Sequence, residues 1–121
     1  MAMIENVTPI LRVEDIETSR RYYVETLGFS LDWNADGMIS VSRDHNPIML
    51  CERGQGQPGT WLWIGVEDAD VLYAEYSAKG ARIRRAPRNY AWAYEFEVED
   101  PDGHVLRIGS EPKPPSADLN S

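Results

Sequence analysis

The chain has 121 residues, 42% of them hydrophobic, which suits one globular domain with a modest core. Its net charge of −8 argues against nucleic acid and anionic membranes, and its one cysteine allows no internal disulfide and suits a reducing cytoplasm. No basic stretch followed by an apolar run opens it, and nothing approaches the roughly 20 apolar residues of a membrane helix, so neither a signal peptide nor a membrane span is expected.

Taken in order, Val7–Val13 reads as a first strand, with Pro9 marking an edge or an irregularity. Glu14-Asp15 ends it, and Asp15 can cap a helix. In that helix Ile16, Tyr23, Val24 and Leu27 form one buried stripe, and Gly28 stops it. Phe29–Trp33, Met38–Arg43 and Pro47–Glu52 follow as three strands, and Arg53–Gly59 as a connector rich in glycine. Trp61–Val66 is the next strand, and the helix after it buries Ala69, Leu72, Tyr73 and Tyr76 before Gly80. Ala81–Arg85 reads as a strand and Pro87–Ala91 as a loop. The closing hairpin is the clearest stretch. Tyr94, Phe96 and Val98 alternate with Glu95, Glu97 and Glu99; Asp100-Pro101-Asp102-Gly103 turns; Val105–Ile108 returns. One face of that hairpin is apolar, while the other carries Glu95, Glu97 and Arg107 with Val105, either as solvated surface or as the wall of a cleft.

The second half repeats the first. Val13-Glu14-Asp15 recurs as Val66-Glu67-Asp68 after 53 positions, and the stop at Gly28 recurs as Gly80 after 52. A near-constant offset across strand, cap and helix stop points to two copies of one βαβββ unit. The expected class is therefore α+β, two tandem modules spanning about 5–54 and 59–110 within a domain of residues 1–113, with 114–121 as a flexible tail.

Leu11-Arg12-Val13-Glu14-Asp15 leading to Tyr22-Tyr23 and Leu27-Gly28-Phe29, Gly65–Asp68 with Gly80, and Tyr94-Glu95-Phe96 through Asp100-Pro101-Asp102-Gly103-His104 together resemble the vicinal-oxygen-chelate superfamily of glyoxalases, bleomycin-resistance proteins and extradiol dioxygenases. The resemblance covers about residues 5 to 110. It implies sheets curled around a ligand cleft, and commonly a dimer. Metal-dependent members carry ligands where this chain has Thr8, Trp61 and Arg107, with a further glutamate near Met49. None of these is a usual ligand, and Arg107 puts a positive charge where the cation would sit. The resemblance thus favours the metal-free branch like bleomycin-resistance proteins, with no metal and no cofactor. A lyase, isomerase or dioxygenase with an atypical site is the alternative it leaves open.

Strand alternation turns Trp61 and Trp63 away from the helix side, toward a cleft or else toward a dimer interface. With Trp92, and with Trp33 and Tyr90 as further candidates, they would form an aromatic surface for a flat or cationic ligand. Glu95 and Glu97 could pair with a cation, or simply with Arg107 across the strands; Arg12 completes the ligand-binding candidates. Cys51 reads as packing and His104 as a turn or surface residue. Glu14-Asp15 and Glu67-Asp68 read as caps and surface charge, and Arg82, Arg84, Arg85 and Arg88 as a solvated edge or an anion site. The expected partners are a small molecule, with a bleomycin-like antibiotic as the named candidate, and a second copy of the chain.

Overall fold

A computed structural model describes residues 2–114. The chain divides into two compact units, one of residues up to Thr60 together with Asp100–His104, the other of Trp61–Glu99 with the residues from Val105 onward. The expected tail at 114–121 lies outside the described residues except for Pro114.

The first unit holds β1 (Ile10–Val13), α1 (Ile16–Arg21), β2 (Ser30–Ala35), β3 (Met38–Arg43) and β4 (Asn46–Glu52). Its sheet runs β1-β4-β3-β2, with β1 parallel to β4 and the other pairs antiparallel. β1 is shorter than Val7–Val13. Pro9 has no N–H to give, although its carbonyl still accepts from Met49 N–H at 2.9 Å. α1 opens on Asp15, whose carboxylate accepts from Thr18 N–H at 3.0 Å. It continues into one π-helical turn over Tyr22–Thr26, closed by Leu27 N–H to Tyr22 carbonyl. Tyr23 and Leu27 are buried, while Ile16 and Val24 are half-buried, so the stripe is real but narrower than its spacing suggests. Leu11, Val13, Phe29, Ile39, Val41, Ile48 and Leu50 complete this core.

The turn Asp100–His104 belongs to this unit and is its polar centre. Asp100 accepts Tyr23 O–H and the backbone N–H groups of Asp102 and His104, each at 2.9 Å. Asp102 accepts Glu14 N–H and Ser19 O–H. His104 is fully buried, which corrects its reading as a turn or surface residue. Its Nδ1 accepts Thr60 N–H at 2.9 Å, so Nε2 carries the proton and donates to the Arg12 carbonyl at 2.6 Å. A buried imidazole needs both partners, and here both are backbone.

The second unit holds β5 (Trp61–Gly65), α2 (Ala69–Ala78), β6 (Arg82–Asn89), β7 (Tyr94–Glu99) and β8 (Val105–Ser110). Its sheet order, β5-β8-β7-β6, repeats that of the first, with the same single parallel pair. The tandem βαβββ reading therefore holds. β6 runs through Pro87, where a loop was expected. It is an edge strand with register shifts between Ile83 and Arg85 and between Arg85 and Arg88, so the proline's missing N–H breaks no ladder. Tyr73 and Tyr76 meet Phe96 edge-on, at ring-centre distances of 5.3 and 6.4 Å. Phe96, Val98, Leu106 and Ile108 are buried beneath α2, with the partners Phe96–Ile108 and Val98–Leu106 that the alternation implied. Lys113 is held in place. Its backbone N–H and carbonyl bond to the Asn89 side chain at 3.0 Å each, and its ammonium meets Asp70 at 2.6 Å.

Asp68 caps α2, accepting from Asp70 N–H and Val71 N–H at 3.0 and 3.2 Å. Asp68→Ala leaves both donors without a side-chain acceptor and is expected to lower stability by about 1 kcal/mol, read as a shift in urea midpoint at constant slope.

Candidate functional site

The open face of the second sheet is built around one carboxylate. Glu95 is 2% exposed, although it lies on the polar face of β7. Its Oε2 accepts the indole N–H of Trp63 at 2.8 Å and that of Trp92 at 3.0 Å. Its Oε1 accepts Arg107 Nη2 at 2.8 Å and Nε at 3.3 Å. Three of the other sequence candidates thus meet at Glu95. Burial raises the Glu95 pKa, but the hydrogen bonds from Trp63 and Arg107, the Arg107 charge and the Trp92 bond outweigh it, so the net shift is downward.

This arrangement holds two tryptophans in the open. Trp63 is 54% exposed and Trp92 63%, yet each has its polar edge fixed. Trp63 lies flat over a pair of glycines. A Cβ on Gly65 or on Gly109, register partners on β5 and β8, would sit 2.9 Å from the indole ring. Neither glycine has a positive φ, so space for the ring is what requires them. Trp92 stacks on Tyr90 at 4.7 Å with an interplanar angle of 13°, and the Arg88 guanidinium sits 5.3 Å from the Tyr90 ring centre. Between the indoles opens a recess of about 380 Å³. Gly65, Ala93 and Gly109 line its floor, and Glu67 and Glu111 also line it.

The remaining candidates are not among the residues that line that recess. Trp61 is half-exposed, with the Arg84 guanidinium 4.9 Å above its ring. Glu97 is buried and bonded to Arg84, with Arg85 at 4.0 Å. Glu97 faces Arg107 across the strands, but Arg107 turns to Glu95. Arg12 and the exposed Trp33 belong to the first unit. Gly65, Gly109, Glu67 and Glu111, which line the recess, were not among the sequence candidates. A glycine inside each of two strands was the available signal for the first two, since it marks a close approach.

The positions that hold a cation in metal-dependent relatives do not fit one here. Thr8 bonds to Asn6, the Trp61 ring carries a guanidinium, and Arg107 is engaged by Glu95. Among the described residues no three His, Cys, Asp or Glu side chains are placed to hold a metal ion.

A family profile matches residues 4–108, nearly the whole described chain, with the description Glyoxalase/Bleomycin resistance protein/Dioxygenase superfamily. The chain belongs to this superfamily. Three solved structures illustrate how the glyoxalase-type fold recurs. TioX from Micromonospora sp. ML1 superposes with a TM-score of 0.81 at 17% identity, covering 88% of this chain and 98% of that one. The bleomycin-binding protein from bleomycin-producing Streptomyces verticillus, solved with copper(II)-bleomycin, gives 0.80 at 21% identity, covering 91% and 98%. TnmS3, an antibiotic binding protein from Streptomyces sp. CB03234, gives 0.78 at 23% identity, covering 92% and 98%. At these identities the likeness establishes the glyoxalase-type fold. Comparison with curated proteins finds no match.

The sign of the Glu95 shift sets a pH dependence. A carboxylate lowered in the folded state adds stability that is fully present above its ordinary value of 4.5 and is lost as pH falls through the folded value. Glu95→Gln lacks that contribution. The stability gap between wild type and Glu95→Gln is therefore expected to be constant near neutrality and to shrink on acidification below pH 4.5, as measured by urea unfolding across pH.

Proposed function

We propose that this protein binds a flat aromatic small molecule on the indole faces of Trp63 and Trp92, without a metal, and sequesters an antibiotic of the bleomycin type. The observation that carries this reading is the pair of indoles held open by one buried carboxylate over a glycine floor. Each tryptophan can bury on the order of 150–250 Å², and leaving two of them facing solvent is favourable only if something covers them. The recess falls within the size range of small-molecule sites. The names of TnmS3 and of the bleomycin-binding protein support the same class of ligand.

Within this reading Glu95 and Arg107 position the indoles rather than touch the ligand, because their charges are spent on each other. Trp61 and Glu97 are assigned outer contacts with larger ligands, and Arg12 remains a ligand-binding candidate of the first unit by itself. We place the protein in the cytoplasm as a homodimer. The buried free Cys51 suits a reducing compartment, and the exposed Met3, Ile4 and Val7 offer apolar surface to a second copy.

The test is a titration of intrinsic tryptophan fluorescence with metal-free and copper-loaded bleomycin, then with planar aromatics. Saturation at micromolar ligand, about −8 kcal/mol, supports the reading. Trp63→Ala or Trp92→Ala should abolish the change, whereas Trp33→Phe should keep it. No response to any ligand overturns the reading. Sedimentation of wild type and Trp61→Ala checks the dimer and whether Trp61 belongs to its interface.

A further inference from the structure

The recess has an uneven charge, and this says more about its occupant. Glu67 and Glu111 each lie two residues beyond a glycine of the partnered pair Gly65–Gly109, on adjacent parallel strands whose ladder continues through Val66 N–H to the Gly109 carbonyl. Both glutamates follow the ends of adjacent parallel strands, and both line the recess. Like charges in such positions repel. The nearby groups do not relieve them. Capping of α2 is done by Asp68 and leaves Glu67 without that role. Lys113 is committed to Asp70, and Arg107 to Glu95. Among the described residues neither Glu67 nor Glu111 has a side-chain hydrogen bond or an ion pair. Ser110 also lines the recess, its hydroxyl oxygen accepting Ala69 N–H at 3.3 Å, and so do the two indoles, whose quadrupoles favour positive charge.

We infer that the recess between Trp63 and Trp92 takes an organic cation, a planar ring bearing or joined to a quaternary or protonated nitrogen, with Glu67 and Glu111 reading its charge. This rests on the aromatic site proposed above and names the class of its ligand. It also moves charge recognition away from Glu95 and Glu97, the carboxylates that the sequence singles out, because arginines already occupy both. The cavity carries the inference: two indoles fixed at their N–H edges give a cation a surface to lie on, and the carboxylates at its rim make the preference electrostatic.

The experiment compares three probes of similar ring size by fluorescence titration: N-methylquinolinium, neutral quinoline and naphthalenesulfonate. Wild type should bind N-methylquinolinium about tenfold more tightly than quinoline and naphthalenesulfonate least, with the cation's advantage falling as salt rises. In the Glu67→Gln/Glu111→Gln double variant the ratio of N-methylquinolinium to quinoline affinity should collapse toward unity. Both side chains lie on the surface, and retained far-ultraviolet circular dichroism confirms the fold. Equal binding of all three probes by wild type overturns the charge inference while leaving the aromatic site intact, as does a ratio that survives in the double variant. Binding of none of the three overturns both.

Discussion

Glu95→Ala is expected to lower stability by about 2–3 kcal/mol and to abolish aromatic binding. The substitution removes the acceptor that two indole N–H groups share and leaves Arg107 without its carboxylate. Arg107 is about a third exposed and can rehydrate, which holds the cost below that of a fully buried orphan charge. The indoles then lose their fixed orientation, and ordering them falls to the ligand. Glu95→Gln separates the two effects. It keeps one acceptor oxygen and cancels the charge, so it should retain part of the stability and lose affinity. Urea unfolding and fluorescence titration of the two variants, side by side, provide the check. A binding curve for Glu95→Ala that matches wild type would remove Glu95 from the site.

The second large effect lies in the first unit. Asp100→Ala should cost about 3–4 kcal/mol, because the Tyr23 hydroxyl and two backbone N–H groups lose their acceptor in a buried setting. For a domain of this size that lowers Tm by roughly 10–15 °C, measured by calorimetry. Asp100 differs from Glu95 in the sign of its pH response. Burial raises its pKa, against the lowering effects of His104, the Tyr23 bond and the backbone bonds from His104 and Asp102. A carboxyl raised in the folded state contributes most below its ordinary value of 3.8, and the contribution is lost as pH rises through the folded value. Asp100→Asn removes that dependence. Its stability relative to wild type should improve as pH rises from 3.8 toward neutrality.

Much of the fold can be read from spacing, because period and caps are local properties. The alternation of Tyr94 through Glu99 gives β7 its two faces, Asp15 and Asp68 cap the helices they precede, and the offset between Gly28 and Gly80 reveals the duplication. Both glycines have φ of +78°, as their role as helix stops requires. The errors come where edge geometry decides. Pro9 shortens β1, whereas Pro87 is tolerated in β6 because it sits on a sheet margin with shifted register. His104 looked superficial because it follows a turn, and only the folded chain shows two backbone partners for its ring. Trp63, Trp92, Glu95 and Arg107 were each legible as candidates by residue type and face. Their convergence on one carboxylate was not, because it depends on rotamers and on the absence of two β-carbons at Gly65 and Gly109. Glu67 looked like half of a capping pair, but the open N–H groups of α2 go to Asp68 and to the Ser110 hydroxyl.

The shared acceptor has a spectroscopic consequence. Two indole N–H protons that donate to one ionised oxygen should resonate well downfield of ordinary indoles, where few other signals fall. Both protons should also exchange slowly with solvent as long as the carboxylate stays charged. Proton NMR of the unlabelled protein thus has two built-in reporters, one on each ring that lines the recess. A ligand that settles between the rings should move both together, whereas one that lands elsewhere on the sheet should leave them in place.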